Sequence, residues 1–216
     1  MLLVGLALGL SSFANAGLIT INSTDTGWYA SNGSHSPGNN NYYVHGSVND
    51  FFIFDLASIS ENIVSATLRI WNPNNGFTSD DISEIFQIWD VDTNIASIVA
   101  GTGGVAAYND FMSGVKYSET TVNLASNGSY VELNLNSSAL AAMNSASGLF
   151  AFGGTLSTSR DGGYDRLFGY TGFGAGGVNA VHLELNTTVD VPEPSTLAIF
   201  ALGMIGLASR RFKKQS

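Results

Sequence analysis

Apolar and polar residues alternate along most of this 216-residue chain. Leu18-Ile19-Thr20-Ile21 opens a short strand, followed by a Gly/Asn/Ser loop through Asn41. Asp50–Leu56 (DFFIFDL) is aromatic on successive positions and predicts a strand buried on both faces. From Ile63 to Trp71 the alternation is clean: Ala66, Leu68 and Ile70 take one face, and Thr67, Arg69 and Trp71 the other. Further strands are expected at 84–92, 119–124, 129–135, 150–156, 166–171 and 178–186. Val131, Leu133, Leu135, Val181, Leu183 and Leu185 should point inward. Asn72-Pro73-Asn74-Asn75-Gly76 is strong turn chemistry. The one helical stretch, Ser138–Ala146, is too short to anchor an α/β fold, and Asn136 or Ser137 could cap it. About nine short strands with glycine-rich turns predict an all-β chain. Its architecture would be a jelly-roll-like β-sandwich with one short helix, plus a C-terminal hydrophobic helix.

That last helix belongs to a different grammar. Pro192-Glu193-Pro194 is followed by an apolar run from Leu197 to Ala208 and then by Arg210, Arg211, Lys213 and Lys214. An apolar segment enters a bilayer, while a basic cluster resists crossing and stays cytoplasmic. Residues before 191 would then face outward. The run is short, about 20 Å as a helix against roughly 30 Å of hydrocarbon. Snorkelling arginines recover part of the difference, and the span suits a segment held briefly and then removed. Two prolines around Glu193 forbid regular helix and keep the box extended, as a protease cleft requires.

The tail Val191-Pro192-Glu193-Pro194-Ser195-Thr196, with its apolar run and Arg-rich end, resembles the PEP-CTERM sorting signal of Gram-negative bacteria. The resemblance implies recognition and cleavage near the box by an exosortase, a membrane cysteine protease-transpeptidase. It also implies a cell that builds an extracellular polysaccharide matrix. Glu193 would be a recognition element there, not a catalyst.

At the other end, Leu2–Leu10 is an apolar core, and Ala14-Asn15-Ala16 is a signal-peptidase site placing the mature start at Gly17. No Lys or Arg precedes that core, which favours a start truncated relative to the true one. The expected organisation is a signal peptide over 1–16, a β-sandwich domain over 17–190 and a sorting signal over 191–216. The protein would be exported, held transiently in the inner membrane, and then placed at the cell surface or in the extracellular matrix.

Trimming both ends changes the charge. Four of the 8 Lys+Arg lie in the tail, leaving Arg69, Lys116, Arg160 and Arg166 against sixteen of the 17 Asp+Glu, a net charge of −12. Such a surface repels nucleic acid, which is excluded as a partner, and anionic polysaccharide unless cations intervene. With no cysteine, the domain must be held by its core or by bound cations, and calcium is the cofactor that would serve.

Asn49–Leu56 followed by Val64–Trp71 (VSATLRIW) resembles the opening strands of secreted carbohydrate-binding-like jelly-roll modules. Trp71, Trp89 and Tyr108 are the candidate sugar platform, because a flat aromatic ring packs on the C–H face of a pyranose. Trp28 and Tyr29 are the other option. Asp90, Asp92 and Asn94 have the spacing of the first ligands of a calcium loop, although Ile95 and Gly101 break that pattern. Asp80, Asp81 and Glu84 read as a solvated acidic turn, and Arg160–Arg166 as an exposed hairpin turn. His35, His45 and His182 are isolated in sequence, and sequons at Asn22, Asn32, Asn127, Asn136 and Asn186 arise from composition.

No catalytic motif is present in the sequence: there is no G-x-S-x-G elbow, H-E-x-x-H or Walker loop. The expected function is a non-enzymatic structural or carbohydrate-associating role in an exopolysaccharide matrix. The alternatives are a secreted polysaccharide-active enzyme and a self-associating adhesin.

Overall fold

Side-chain alternation in the sequence becomes two packed layers in the computed structural model, which describes residues 16–157, 165–169 and 180–188. Gly17–Thr187 form one compact unit. Its four-stranded sheet has the order β1 (Ala16–Asn22), β11 (Val181–Thr188), β5 (Ile63–Asn72), β8 (Ser129–Asn134). The second, seven-stranded sheet runs β10 (Arg166–Leu167), β3 (Val44–His45), β4 (Val48–Asp55), β9 (Leu149–Leu156), β6 (Ser83–Trp89), β7 (Lys116–Asn123), with β2 (Asp25–Ala30) also paired to β4. This is an all-β, sandwich-like fold.

The inner faces meet through residues that the alternation singled out. Ala66, Leu68 and Ile70 of β5, Val131 and Leu133 of β8, and Val181, Leu183 and Leu185 of β11 pack in one core with Phe52, Phe54, Phe86, Ile88 and Phe152. Fully burying one such side chain is worth about 1.5–3 kcal/mol, so this layer carries most of the stability in the absence of disulfides.

A second core lies on the other side of the seven-stranded sheet and explains the aromatic run in β4. Phe51 and Ile53 point away from the sandwich interior. They meet Tyr29, Ile98, Ala107, Tyr108 and Phe111. Two helices absent from the sequence expectation supply that cover: α1 (Ile95–Val99) and α2 (Gly104–Asp110). They are short and lack amphipathic repeats, so only tertiary packing holds them. The Tyr29 hydroxyl anchors them, donating to the Ile98 carbonyl at 2.8 Å. Among the described residues the one short helix expected within the domain is therefore one of three α-helices. It forms as α3 (Ser137–Ser145), and Asn136 is its cap, accepting from Ser138 and Ala139 N–H groups at 3.0 and 3.1 Å.

Two other expectations are corrected. The loop expected through Asn41 contains β2, whose register places Trp28 opposite Asp50 and Gly27 opposite Phe51. The strand expected over 84–92 ends at Trp89, because Asp90 turns the chain into α1. The apolar segments expected at 2–10 and 197–208 lie outside the described residues. Among the described residues no helix is long and apolar enough to cross a membrane.

Strand β1 closes one edge of the four-stranded sheet. Ser23 N–H donates to the Val181 carbonyl at 2.9 Å, and the Thr187 hydroxyl approaches the Gly17 carbonyl at 3.5 Å. The two strands are thus antiparallel, and Gly17 sits beside Thr187.

Candidate functional site: the outer face of the four-stranded sheet

Every second residue of β5, β8 and β11 faces away from the core, and register decides which of them meet. Trp71 stands opposite Tyr130; Arg69 stands between His182 and Glu132; Thr67 stands between Glu184 and Asn134. The Trp71 and Tyr130 rings meet edge to face at 5.2 Å between centroids, and Tyr130 meets His182 in the same way at 5.0 Å. The Tyr130 ring also covers the Arg69 guanidinium, 4.9 Å from its centroid. An aromatic strip thereby crosses three strands, although its members are more than fifty residues apart in sequence.

Beside this strip runs a charged row whose ion pairs are internal to it. Arg69 donates through Nη1 to Glu184 at 2.6 Å and through Nη2 to Glu132 at 2.7 Å. The Glu184 hydrogen bond, with lesser help from Glu132, raises the guanidinium above its already high pKa. The His182 ring is pushed the other way, first by burial and then by the Arg69 charge, so it stands neutral at pH 7. The row therefore carries one positive and two negative charges. Hydroxyl and amide groups follow: Thr67 donates to Asn134 at 3.0 Å, and Asn186 donates to Ser65 at 2.8 Å.

Such a surface can do two things for a sugar. A half-buried aromatic edge offers an apolar surface for the pyranose C–H face, and carboxylates, amides and hydroxyls take the ring hydroxyls. Tyr130 and Arg69 were not singled out as ligand contacts in the sequence, and His182 stood there as an isolated residue. The β5 alternation put Arg69 and Trp71 on one face, but only pairing with β8 and β11 shows their company.

The expected platform of Trp71, Trp89 and Tyr108 is not one surface. Trp89 belongs to the far side of the seven-stranded sheet, where its buried indole N–H has no partner among the described residues. Tyr108 is buried in the helix-covered core, with its carbonyl accepting from Asn49 at 2.9 Å. Trp28 packs on Tyr43 at 5.4 Å, and Tyr29 is fully buried.

Two side chains of the Asp90–Asn94 loop turn an oxygen to main-chain N–H groups. Asp90 Oδ1 accepts from Val115 N–H at 2.8 Å, and Asn94 caps α1 by accepting from Ser97 N–H at 3.3 Å. The loop is held by Asp110, whose Oδ2 accepts from the N–H groups of Asp92 and Thr93 at 3.0 and 2.7 Å. Burial, then repulsion from Asp92 and Asp110, pushes the Asp90 carboxyl upward against the Val115 bond. Among the described residues no group of three or more His, Cys, Asp or Glu side chains is placed to hold a metal ion.

Glu84 corrects the solvated-turn expectation. It is fully buried, whereas Asp80 and Asp81 are exposed. Ser79 Oγ lies 2.7 Å from both Glu84 and Asp165 and accepts from Asp81 N–H at 2.8 Å. Asp165 is buried as well, so its part of the 160–166 segment is not an exposed turn. Arg160, Asp161 and Tyr164 lie outside the described residues, as do Ala14, Val191–Thr196, Arg210, Arg211, Lys213 and Lys214. Ala16 begins β1 and Gly17 follows it in the same strand.

Comparison with known proteins bears on the end of the chain. Residues 190–214 carry a PEP-CTERM protein-sorting motif. No curated protein matches the chain. The motif marks an exported protein that is anchored in a membrane before an exosortase processes it. It begins two residues after β11 ends at Thr188. The jelly-roll resemblance of the 49–71 segment finds no support beyond the two-sheet architecture.

Proposed function

We propose that this chain is an exosortase-released surface or matrix protein whose sandwich domain has a structural or carbohydrate-associating role in an exopolysaccharide matrix. In this reading residues 1–16 are removed on export, 17–190 form the working domain, and 191–216 are the sorting signal. The carrying observation is the PEP-CTERM motif placed directly after the last strand of the domain. The carbohydrate half draws support from the half-buried aromatic and polar face around Trp71.

Two measurements test it. The full chain is expressed in a host that has the sorting enzyme, and the mass of the product is measured. Loss of the tail near Pro192–Pro194 is expected, and retention in the Pro192→Ala/Pro194→Ala variant; an intact tail in the unaltered chain overturns the sorting route. The processed protein is then incubated with matrix polysaccharide, with and without calcium. Retention under either condition supports the binding role, and its absence under both leaves the structural role alone.

A further inference from the structure

The charges beside the aromatic strip carry information about which sugar could lie there. An acidic polysaccharide needs an uncommitted cation to receive its carboxylates, and arginine is the side chain best built for that. Among the described residues Arg69 is the one arginine or lysine of this face, and both of its terminal nitrogens are already bonded to Glu184 and Glu132, at 2.6 and 2.7 Å. Tyr130 covers the guanidinium from above. A uronate approaching the strip would meet one occupied arginine and two carboxylates, and like-charge contact of that kind is strongly discriminating. An uncharged pyranose would meet an apolar ring edge, a neutral imidazole and carboxylate oxygens able to accept its hydroxyl protons.

We propose that the strip formed by Trp71, Tyr130 and His182 binds an uncharged polysaccharide, and that Glu132 and Glu184 set this preference by occupying Arg69. The proposal rests on the carbohydrate-associating reading above and adds a location, a ligand class and two specificity-determining residues. Trp71 and Tyr130 supply the stacking surface. Arg69 holds the two glutamates in place instead of meeting the ligand.

The test uses the full chain in an uncharged polyoxyethylene detergent, which carries no sugar, run through native gels containing either a neutral β-glucan or polygalacturonate. Retardation by the β-glucan and none by polygalacturonate is expected. Trp71→Ala and Tyr130→Ser should each raise the apparent Kd for the β-glucan at least tenfold, with unfolding transitions recorded beside them. Glu132→Gln/Glu184→Gln frees Arg69 and should create retardation by polygalacturonate, a gain that misfolding cannot mimic. Asp80→Asn/Asp81→Asn changes the net charge equally at an exposed turn elsewhere and should create none.

Four results overturn the proposal, each in a different place. Binding to β-glucan that ignores Trp71 and Tyr130 removes the location and leaves the broader reading standing. Equal or stronger binding of polygalacturonate by the unaltered chain removes the ligand class. Equal gains in both double variants remove the role of Glu132 and Glu184. Binding to neither polymer removes the carbohydrate reading itself.

Discussion

The Tyr42 hydroxyl donates to the main-chain carbonyl of Trp71 at 2.9 Å, joining the segment before β3 to β5 of the opposite sheet. Burial, with the nearby Asp50 adding to it, pushes this phenol above its ordinary range, so it remains a donor at neutral pH. The bond fixes the backbone of the residue whose side chain leads the aromatic strip. Tyr42→Phe keeps the buried ring and leaves the carbonyl unpaired. It should cost about 1–2 kcal/mol in urea unfolding at neutral pH. An unchanged midpoint would mean that water replaces the hydroxyl.

Asp50 gives a pH dependence of unusual sign. It is fully buried among aromatic side chains, and neither oxygen has a partner of hydrogen-bond geometry among the described residues. Burial raises its carboxyl well above the ordinary value of 3.8, and the Tyr43 N–H offsets only part of that. As pH rises past the ordinary value, the unfolded chain releases a proton that the folded one keeps, so this residue lowers stability until its folded pKa is passed. Asp50→Asn should therefore melt higher than the unaltered protein at about pH 7, with the advantage shrinking toward about pH 4. Parallel melting curves across that range would refute the assignment.

His35 works in the opposite direction. Its Nδ1 bonds to the Trp28 carbonyl at 2.7 Å, and its ring stacks on Tyr29 at 4.7 Å. Burial lowers its pKa from the ordinary 6.5, more than the Trp28 bond and the Asp25 charge raise it. The stability it confers is complete above the unfolded value and is lost as pH falls through the folded one. His35→Phe keeps a ring on Tyr29 and gives up the bond. Relative to the unaltered protein it should be about 1 kcal/mol weaker at pH 7 and lose less between pH 7 and pH 5, as followed by tryptophan fluorescence.

Asn72 is a buried junction for three loops. Its Nδ2 donates to the Ser126 carbonyl and to Asn127, both at 3.1 Å, and its Oδ1 accepts from Phe168 N–H at 3.2 Å. Asn72→Ala removes all three bonds and should cost about 2–4 kcal/mol in chemical denaturation. Gly76 packs so closely on this side chain that a Cβ there would collide with it. Gly76→Ala should destabilise through the same junction.

The sequence disclosed the layers better than the neighbours. Alternation located β5, β8 and β11 to within a few residues, because a strand buried on one face repeats every two positions. It missed β2, whose Asp25-Thr26-Gly27 start resembles a loop, and it missed α1 and α2. Those helices are five and seven residues long, below the length at which periodicity speaks. The tail was legible because its chemistry is contiguous. The aromatic strip was not, because His182 reaches Tyr130 only through a register set by β5 lying between their strands. Trp89 and Tyr108 looked equivalent to Trp71 for the same reason: a sequence does not say which side of which sheet an aromatic ring occupies.

Gly17 and Thr187 stand side by side where β1 meets β11, so the polypeptide enters and leaves the sandwich through one pole. Trp71 lies beyond the other end of β11, past the pairing of Ile70 with Val181, while Thr187 pairs with Ile63. Eight residues of strand separate those rows, roughly 25 Å at about 3.3 Å per residue. A ligand held at Trp71 would therefore be met a full strand length from the corner of the sheet where Gly17 and Thr187 lie together.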